Sequence, residues 1–552
     1  MTVTEPAPPP SAAAATGEPG AGPDAPDAAH GPDGRTDPDA TEATDRADGG
    51  GRRHVKVAIV GAGFAGLAMA IRLKQAGIDD FVVFERGDDV GGTWRDNTYP
   101  GAACDVPSHL YSFSFAPNPR WSRSFSPQRE ILDYLRDTAR RHGVLPHIRL
   151  GTPVTAMRWV DEARVWRVDT PDGGVTAQFL VPGMGALSEP QLPDIPGIDG
   201  FEGALFHSAA WDHDHDLTGE SVAVIGTGAS SIQFVPEIQP HVGRLHVFQR
   251  TPPWIIPRTD RPLTHAEQRL FRALPAAQRV VRAAIYWGRE LYAWGFTKPQ
   301  RMRAPQRLAR AHLERQITDP GLRARLTPNY TMGCKRILIS NDWYPTLTRP
   351  NVEVVTDRIS EVRRRSIVTA DGSERPVDTI ICGTGFHVTD FPAGDHIHGP
   401  GGASLGDVWN DRGSMEAYLG TTVAGFPNLF LLVGPNTGLG HTSMVFMIES
   451  QVSYVLDALR HLDSAGATTV EVRPEVQDAY NRDLQCHLAT TVWNAGGCRS
   501  WYLDANGRNT SLWPGFSWRF RQRTRRFDPW SYVLRHEPAH PEAAGPGARV
   551  LD

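Results

Sequence analysis

The 552-residue sequence predicts an α/β fold: two Rossmann-like dinucleotide-binding domains with a helical insertion in the second. Three observations carry this expectation. The order strand, glycine-rich turn, helix, strand occurs twice, beginning near residues 55 and 222. Both turns have the glycine spacing that lets a backbone approach a pyrophosphate at a helix N-terminus. Between about 260 and 325 the composition becomes helical and arginine-rich, as in AEQRLFRALPAAQRVVRAAIYWGRELYAW.

Composition sets the limits. The chain is 22% charged and 40% hydrophobic, with a mean hydropathy of -0.35, enough for two or three buried cores. It contains no apolar run of ~18 residues, which argues against a transmembrane segment, and its start lacks a basic-then-apolar signal pattern. The five cysteines (Cys104, Cys334, Cys382, Cys486, Cys498) are scattered without a CxxC pair. That spacing argues against a disulfide framework or a cysteine-rich zinc site and fits a cytoplasmic location. Residues 1–50 hold ten acids against two arginines, a net of -8 within an overall -5, so the rest is only slightly basic and suggests no nucleic-acid partner. Residues 1–52, rich in Pro, Ala, Gly and Asp, have too little apolar surface to offset ordering entropy and are expected to be a disordered acidic tail.

The first ordered unit is then expected at once. Val55–Val60 reads as a buried strand, Gly61, Gly63 and Gly66 form the turn, Leu67–Gln75 is a helix, and Phe81–Phe84 is a strand ending on Glu85. A carboxylate at that strand end can accept from a ribose hydroxyl, which suits FAD. In the second unit Val222–Ile225 is a strand, and Gly226, Gly228 and Ser231 form the turn, with serine at the third glycine position. The helix runs from Ile232, and Leu245–Phe248 is a strand closing on Gln249, Arg250 and Thr251. An acid there would repel a 2′-phosphate, whereas Arg250 and Thr251 would bind one, so the second site suits NADPH. The helical insertion is read as core or pocket wall, with a membrane-surface helix as the alternative. The runs 378–386 and 426–434 look like a return to the first domain. The expected division is therefore 53–190 (FAD, first part), 191–374 (NADPH, with the insertion) and 375–552 (FAD, second part, and C-terminal segment). His213, Asp214, His215 and Asp216 read as a solvated loop, because strand alternation separates them and no third ligand is evident, so no metal is expected.

Two longer patterns carry a resemblance. Phe201, Gly203, His207, Trp211 and Asp212 match FxGxxxHxxxW(P/D), a fingerprint of the type I Baeyer–Villiger monooxygenases. Gly91, Gly92, Trp94, Tyr99, Pro100, Gly101 and Asp105 match the same family's (A/G)GxWxxxx(F/Y)P(G/M)xxxD. Over about residues 55–530 the sequence resembles that family. The resemblance implies NADPH- and O2-dependent oxidation of a ketone to an ester or lactone through a flavin C4a-peroxide.

It also implies residue roles. Arg336, in the pair Lys335-Arg336, corresponds to the arginine over the flavin, and Asp105 to the aspartate that orients and tunes it. Lys335, Arg250 and Thr251 correspond to the groups on the NADPH 2′-phosphate. His207 corresponds to a linker histidine that couples domain motion, and Trp501 to a tryptophan near the nicotinamide ribose. A fixed guanidinium has no proton to lose and suits an anionic oxygen intermediate. The alternatives are a flavin-dependent N- or S-oxygenase with the same cofactors, or a non-catalytic FAD/NADPH-binding sensor. Substrate and oligomeric state are left open.

Overall fold

The computed structural model describes residues 52–536, so the expected acidic tail lies outside the described residues except for its last member. Arg52 belongs to the fold, its guanidinium 2.8 Å from Asp169.

The first βαβ unit forms as its pattern requires. β1 (His54–Val60) pairs in parallel with β2 (Phe81–Phe84), and Val57, Ala58 and Ile59 are fully buried, Val57 and Ile59 on the face covered by helices and Ala58 on the other. α1 (Phe64–Gln75) is Ala- and Gly-rich because it lies under the sheet and against the helix Met444–Ala465, with its residues from Phe64 to Ile71 all buried. That second helix starts on the Ser443 side chain and stops at Gly466, whose φ of 64° releases the chain from the helix. Fully buried side chains such as Leu67 and Leu459 each contribute ~1.5–3 kcal/mol to this packing.

β3 (Ile148–Arg149), β4 (Ala156–Val160), β5 (Val165–Asp169) and β6 (Val175–Pro182) complete a seven-stranded sheet with Ile397–His398 at its edge. The order is Ile397–His398, β4, β5, β6, β1, β2, β3, and β4–β5–β6 is an antiparallel meander. The second sheet comprises β7 (Ala204–His207), β8 (Ser221–Ile225), β9 (Arg244–Phe248), Val352–Val355 and Thr379–Cys382. All of its pairings are parallel, in the order Val352–Val355, β9, β8, Thr379–Cys382, β7.

The run 378–386 departs from expectation. Thr379–Cys382 lies between β8 and β7 in the second sheet, not the first. An apolar run followed by glycines fits any buried parallel strand, and only the pairing partners decide the sheet. The run 426–434 does meet the first sheet: Phe430 N–H donates to the Leu180 carbonyl and Leu432 N–H to that of Pro182.

The insertion is helical, as its composition suggests: His265–Ala273, Pro275–Phe296, Arg303–Gln316 and Pro320–Leu326. A Thr264/Glu267 capping box opens its first helix. The expected lack of disulfides is corrected at Cys334 and Cys498, which are bonded with their Cα atoms 6.1 Å apart across 164 residues of chain. No spacing rule links cysteines that only tertiary folding brings together.

Candidate active site

Both glycine turns open on one cavity of about 1630 Å³. At the first, Gly61 has φ +98°, and a Cβ on Gly66 would stand 1.8 Å from the Gly61 carbonyl oxygen. These glycines are needed by the chain itself, for the sharp turn and the close helix–strand contact. Gly63 differs: its Cβ would meet nothing nearer than Gly92 Cα at 3.7 Å. The middle of the turn is therefore open to a phosphate. The second turn repeats this, with a Gly226 Cβ 2.4 Å from the Gly383 carbonyl oxygen and a Gly228 Cβ no nearer than 3.9 Å to the same atom. Ser231 fits where a third glycine might stand because its Oγ faces Gly383, lying 2.1 Å from where a Cβ there would be. Both cradles thus suit a dinucleotide pyrophosphate at a helix N-terminus.

Glu85 is buried and binds the turn: it accepts from Ala62 N–H at 2.8 Å, Gly87 N–H at 2.8 Å and Arg95 Nη1 at 2.7 Å. A carboxylate has about four acceptor positions, so capacity for a ribose hydroxyl remains. Arg95 was not anticipated, since it stands at an unspecified position of the GxW pattern. Trp94 lines the cavity and donates to Tyr111 Oη at 3.1 Å.

At the second mouth, the exposed Arg250 and half-buried Lys335 both line the cavity, and neither has a carboxylate partner among the described residues. Burial, then the charge of Arg250, lowers the Lys335 pKa. Two unpaired cations this close would be relieved by an anion, and Thr251 stands beside them.

The two fingerprints are explained by packing. Tyr99 Oη donates to Gln233 Oε1 at 2.9 Å, Gln233 Nε2 donates to the Ala103 carbonyl at 2.9 Å, and a Gly101 Cβ would be 2.8 Å from the Gln233 carbonyl oxygen. The Tyr99-Pro100-Gly101 segment therefore clamps onto the helix Ser231–Ile238 behind the second turn. That clamp carries Asp105 to Arg336, where Nε–Oδ2 and Nη2–Oδ1 are both 2.7 Å. This is a two-point fork in the cavity wall. The Asp105 charge raises the Arg336 pKa against the opposing effect of burial, so the guanidinium stays charged.

The other fingerprint builds the edge of the second sheet. A Cβ on Gly203 would be 2.0 Å from the Asp378 carbonyl oxygen and would also strike the Phe201 ring. Trp211 packs between Phe206 and Phe234, 5.3 Å from each ring, and Asp212 accepts from Asp214 N–H at 3.0 Å. His207 ends β7, is buried, and its Nδ1 accepts from Ala209 N–H at 3.1 Å. Burial lowers its pKa.

Trp501 lies 45% exposed at the cavity rim, 4.3 Å from the ring of Tyr502. Tyr502 is buried close enough to feel the charge of Arg336, and burial pushes its hydroxyl up to about 12. Arg289, half-buried on Pro275–Phe296, feels the charge of Asp105. Neither residue was foreseen; a helix with arginines all along it does not reveal which one faces inward. Met444 lines the cavity, whereas Phe446 stacks on Tyr286 at 4.9 Å under Arg521.

Two nucleotide cradles sharing one cavity with a fixed guanidinium define a flavin- and nicotinamide-dependent oxidoreductase. Comparison with known proteins agrees. The pyridine nucleotide-disulphide oxidoreductase family pattern matches residues 58–272. A Baeyer-Villiger monooxygenase of Streptomyces coelicolor is 52% identical over 88% of this chain and 94% of its own. The chain belongs to the Baeyer–Villiger monooxygenase family. Among solved structures, an oxidized steroid monooxygenase bound to NADP is 31% identical with a TM-score of 0.77, covering 88% of this chain and 100% of its own. OTEMO in complex with FAD and NADP is 27% identical with a TM-score of 0.78, covering 87% and 99%. FAD and NADPH are the cofactors, and the enzyme is an NADPH-dependent flavoprotein monooxygenase.

Proposed function

We propose that Arg336, held by Asp105, is the catalytic cation of this enzyme's Baeyer–Villiger reaction, the NADPH- and O2-dependent conversion of a ketone to an ester or lactone. The observation that carries this assignment is the Arg336–Asp105 fork, set in the shared cavity between the two cradles. When bound, FAD reduced by NADPH supplies the activated oxygen for insertion beside the carbonyl. The chain supplies positioning and charge. Gly61, Gly63, Gly66, Glu85, Gly92 and Trp94 hold the FAD side. Gly226, Gly228, Ser231, Arg250, Thr251, Lys335 and Trp501 hold the NADPH side.

Arg336 stabilises negative charge developing on oxygen as the ketone carbon becomes tetrahedral, without donating a proton it could lose. Asp105 is a positioning residue: it fixes the plane of the guanidinium and moderates its charge. His207, Phe201, Gly203, Trp211 and Asp212 couple the second sheet to the FAD side. The division into 53–190, 191–374 and 375–552 belongs to the same proposal, with the boundary of the last part moved beyond Cys382. A cytoplasmic location belongs to the same proposal, with Cys104, Cys382 and Cys486 free thiols set against the one Cys334–Cys498 bond.

Arg336→Ala is expected to leave flavin reduction by NADPH near normal and to lower ester formation by about 10²–10³-fold. Anaerobic stopped-flow reduction and product analysis by mass spectrometry check the two steps separately. Ester formation at near-normal rate in this variant would remove Arg336 from its role.

A further inference from the structure

The helix Pro275–Phe296 has two faces of opposite character. Inward, Gln278, Glu290, Ala293 and Phe296 are buried. Gln278 Nε2 donates to the Asn118 carbonyl at 2.6 Å, and Glu290 accepts from Ser517 Oγ at 2.5 Å. Outward, at 100° per residue, Val280, Trp287, Leu291 and Trp294 fall within roughly 80° of arc. They are 68%, 57%, 75% and 56% exposed. Ala283, Ala284 and Gly288 lie among or beside them, so the strip holds no charge. Large apolar side chains clustered this way on a surface mark a contact.

The surrounding charge indicates with what. Between Arg269 and Arg310 there are ten cations, of which Arg282 and Arg289 face inward, and a single acid, Glu290, in a chain whose net charge is -5. That acid is buried, and Arg301 stacks 4.2 Å over the Trp294 ring. Aromatic and aliphatic side chains on one face with arginines around them match the interface between headgroups and acyl chains. No helix among the described residues is long and apolar enough to cross a membrane, so such contact is peripheral.

We infer that this face docks on an anionic lipid surface, with Trp287, Leu291 and Trp294 among the headgroups and the arginines on their phosphates. A second copy of the chain fits less well, because a symmetric contact would bring one basic rim against another. The acidic residues 1–51 match the charge, but they contain no Leu, Ile, Phe, Trp or Tyr to cover the strip. Arg289, on the opposite side of this helix, feels the charge of Asp105.

The test is co-sedimentation of the full-length holoenzyme with phosphatidylcholine vesicles, with and without phosphatidylglycerol. Binding to the phosphatidylglycerol vesicles is expected to be on the order of tenfold tighter and to weaken as salt is added. The double variant Trp287→Ser/Leu291→Ser should lose that binding by about tenfold or more, with turnover of a water-soluble ketone unchanged without vesicles. Arg272→Glu/Arg279→Glu should lose it too, while leaving the apolar strip intact. Failure of the wild-type enzyme to bind either vesicle overturns the inference, as does equal binding to both. A wild-type dimer in ultracentrifugation that Trp287→Ser/Leu291→Ser converts to monomer would assign the strip to a second copy instead.

Discussion

Arg336 and Arg250 are both arginines at the same cavity, and their surroundings give them different work. Arg336 is matched at two points by Asp105, so its direction is fixed before any ligand arrives. Arg250 has no carboxylate partner among the described residues and shares its space with Lys335, whose pKa is lowered by burial and then by the charge of Arg250. Such a pair is built for an anion that comes and goes. Arg250→Ala should raise the KM for NADPH by about tenfold to a hundredfold, the worth of a hydrogen bond to a charged group, while leaving the KM for NADH nearly unchanged. Steady-state kinetics with the two nicotinamides decides this; equal losses for both would mean that Arg250 supports the fold and not the 2′-phosphate. Arg250 and Arg336 could be picked out from sequence because each follows a pattern of fixed spacing. Tyr502 and Arg289 could not, because their approach to Arg336 and Asp105 depends on segments far apart in the chain.

The turn after β1 is an element in which two glycines of one motif answer to different constraints. A Cβ at residue 66 would overlap the Gly61 carbonyl oxygen at 1.8 Å, whereas one at residue 63 would enter only the cavity. Gly66→Ala should therefore destabilise even the flavin-free protein, by about 3 kcal/mol or more. Gly63→Ala should leave the melting temperature of the flavin-free protein unchanged while greatly reducing retained FAD. Thermal melts with and without FAD, together with the flavin-to-protein absorbance ratio, separate the two effects. Matching losses of apoprotein stability would refute the distinction. The motif's local spacing makes such an element readable from sequence. Thr379–Cys382 marks the limit: its apolar character was legible, but membership of the second sheet came from pairing with β7 and β8, laid down more than 150 residues earlier.

Across the whole molecule, several histidines are buried in neutral form. His109 is the strongest case: burial, then the charge of Arg282, lowers its pKa from 6.5 to about 4, and its Nδ1 faces the Gln278 amide at 3.2 Å. His207, His246 and His312 are shifted the same way, chiefly by burial. The unfolded chain takes up these protons near pH 6.5 and the folded chain only at lower pH. Stability is therefore complete above about pH 6.5 and falls as the pH drops toward 4, by about 3 kcal/mol for His109 alone. Urea unfolding across this range should show the loss, and His109→Gln should flatten it; a flat wild-type profile would contradict the burial argument.

The sequence by itself determined the two nucleotide units, their cofactors and the family, because glycine spacing, strand ends and fingerprints are local and their chemistry follows from adjacent residues. Tertiary structure alone decided the Cys334–Cys498 bond, the sheet that holds Thr379–Cys382, and the clamp by which Tyr99 and Gln233 carry Asp105 to Arg336. Each of these joins residues more than 100 positions apart, and such contacts are set by how the whole chain packs.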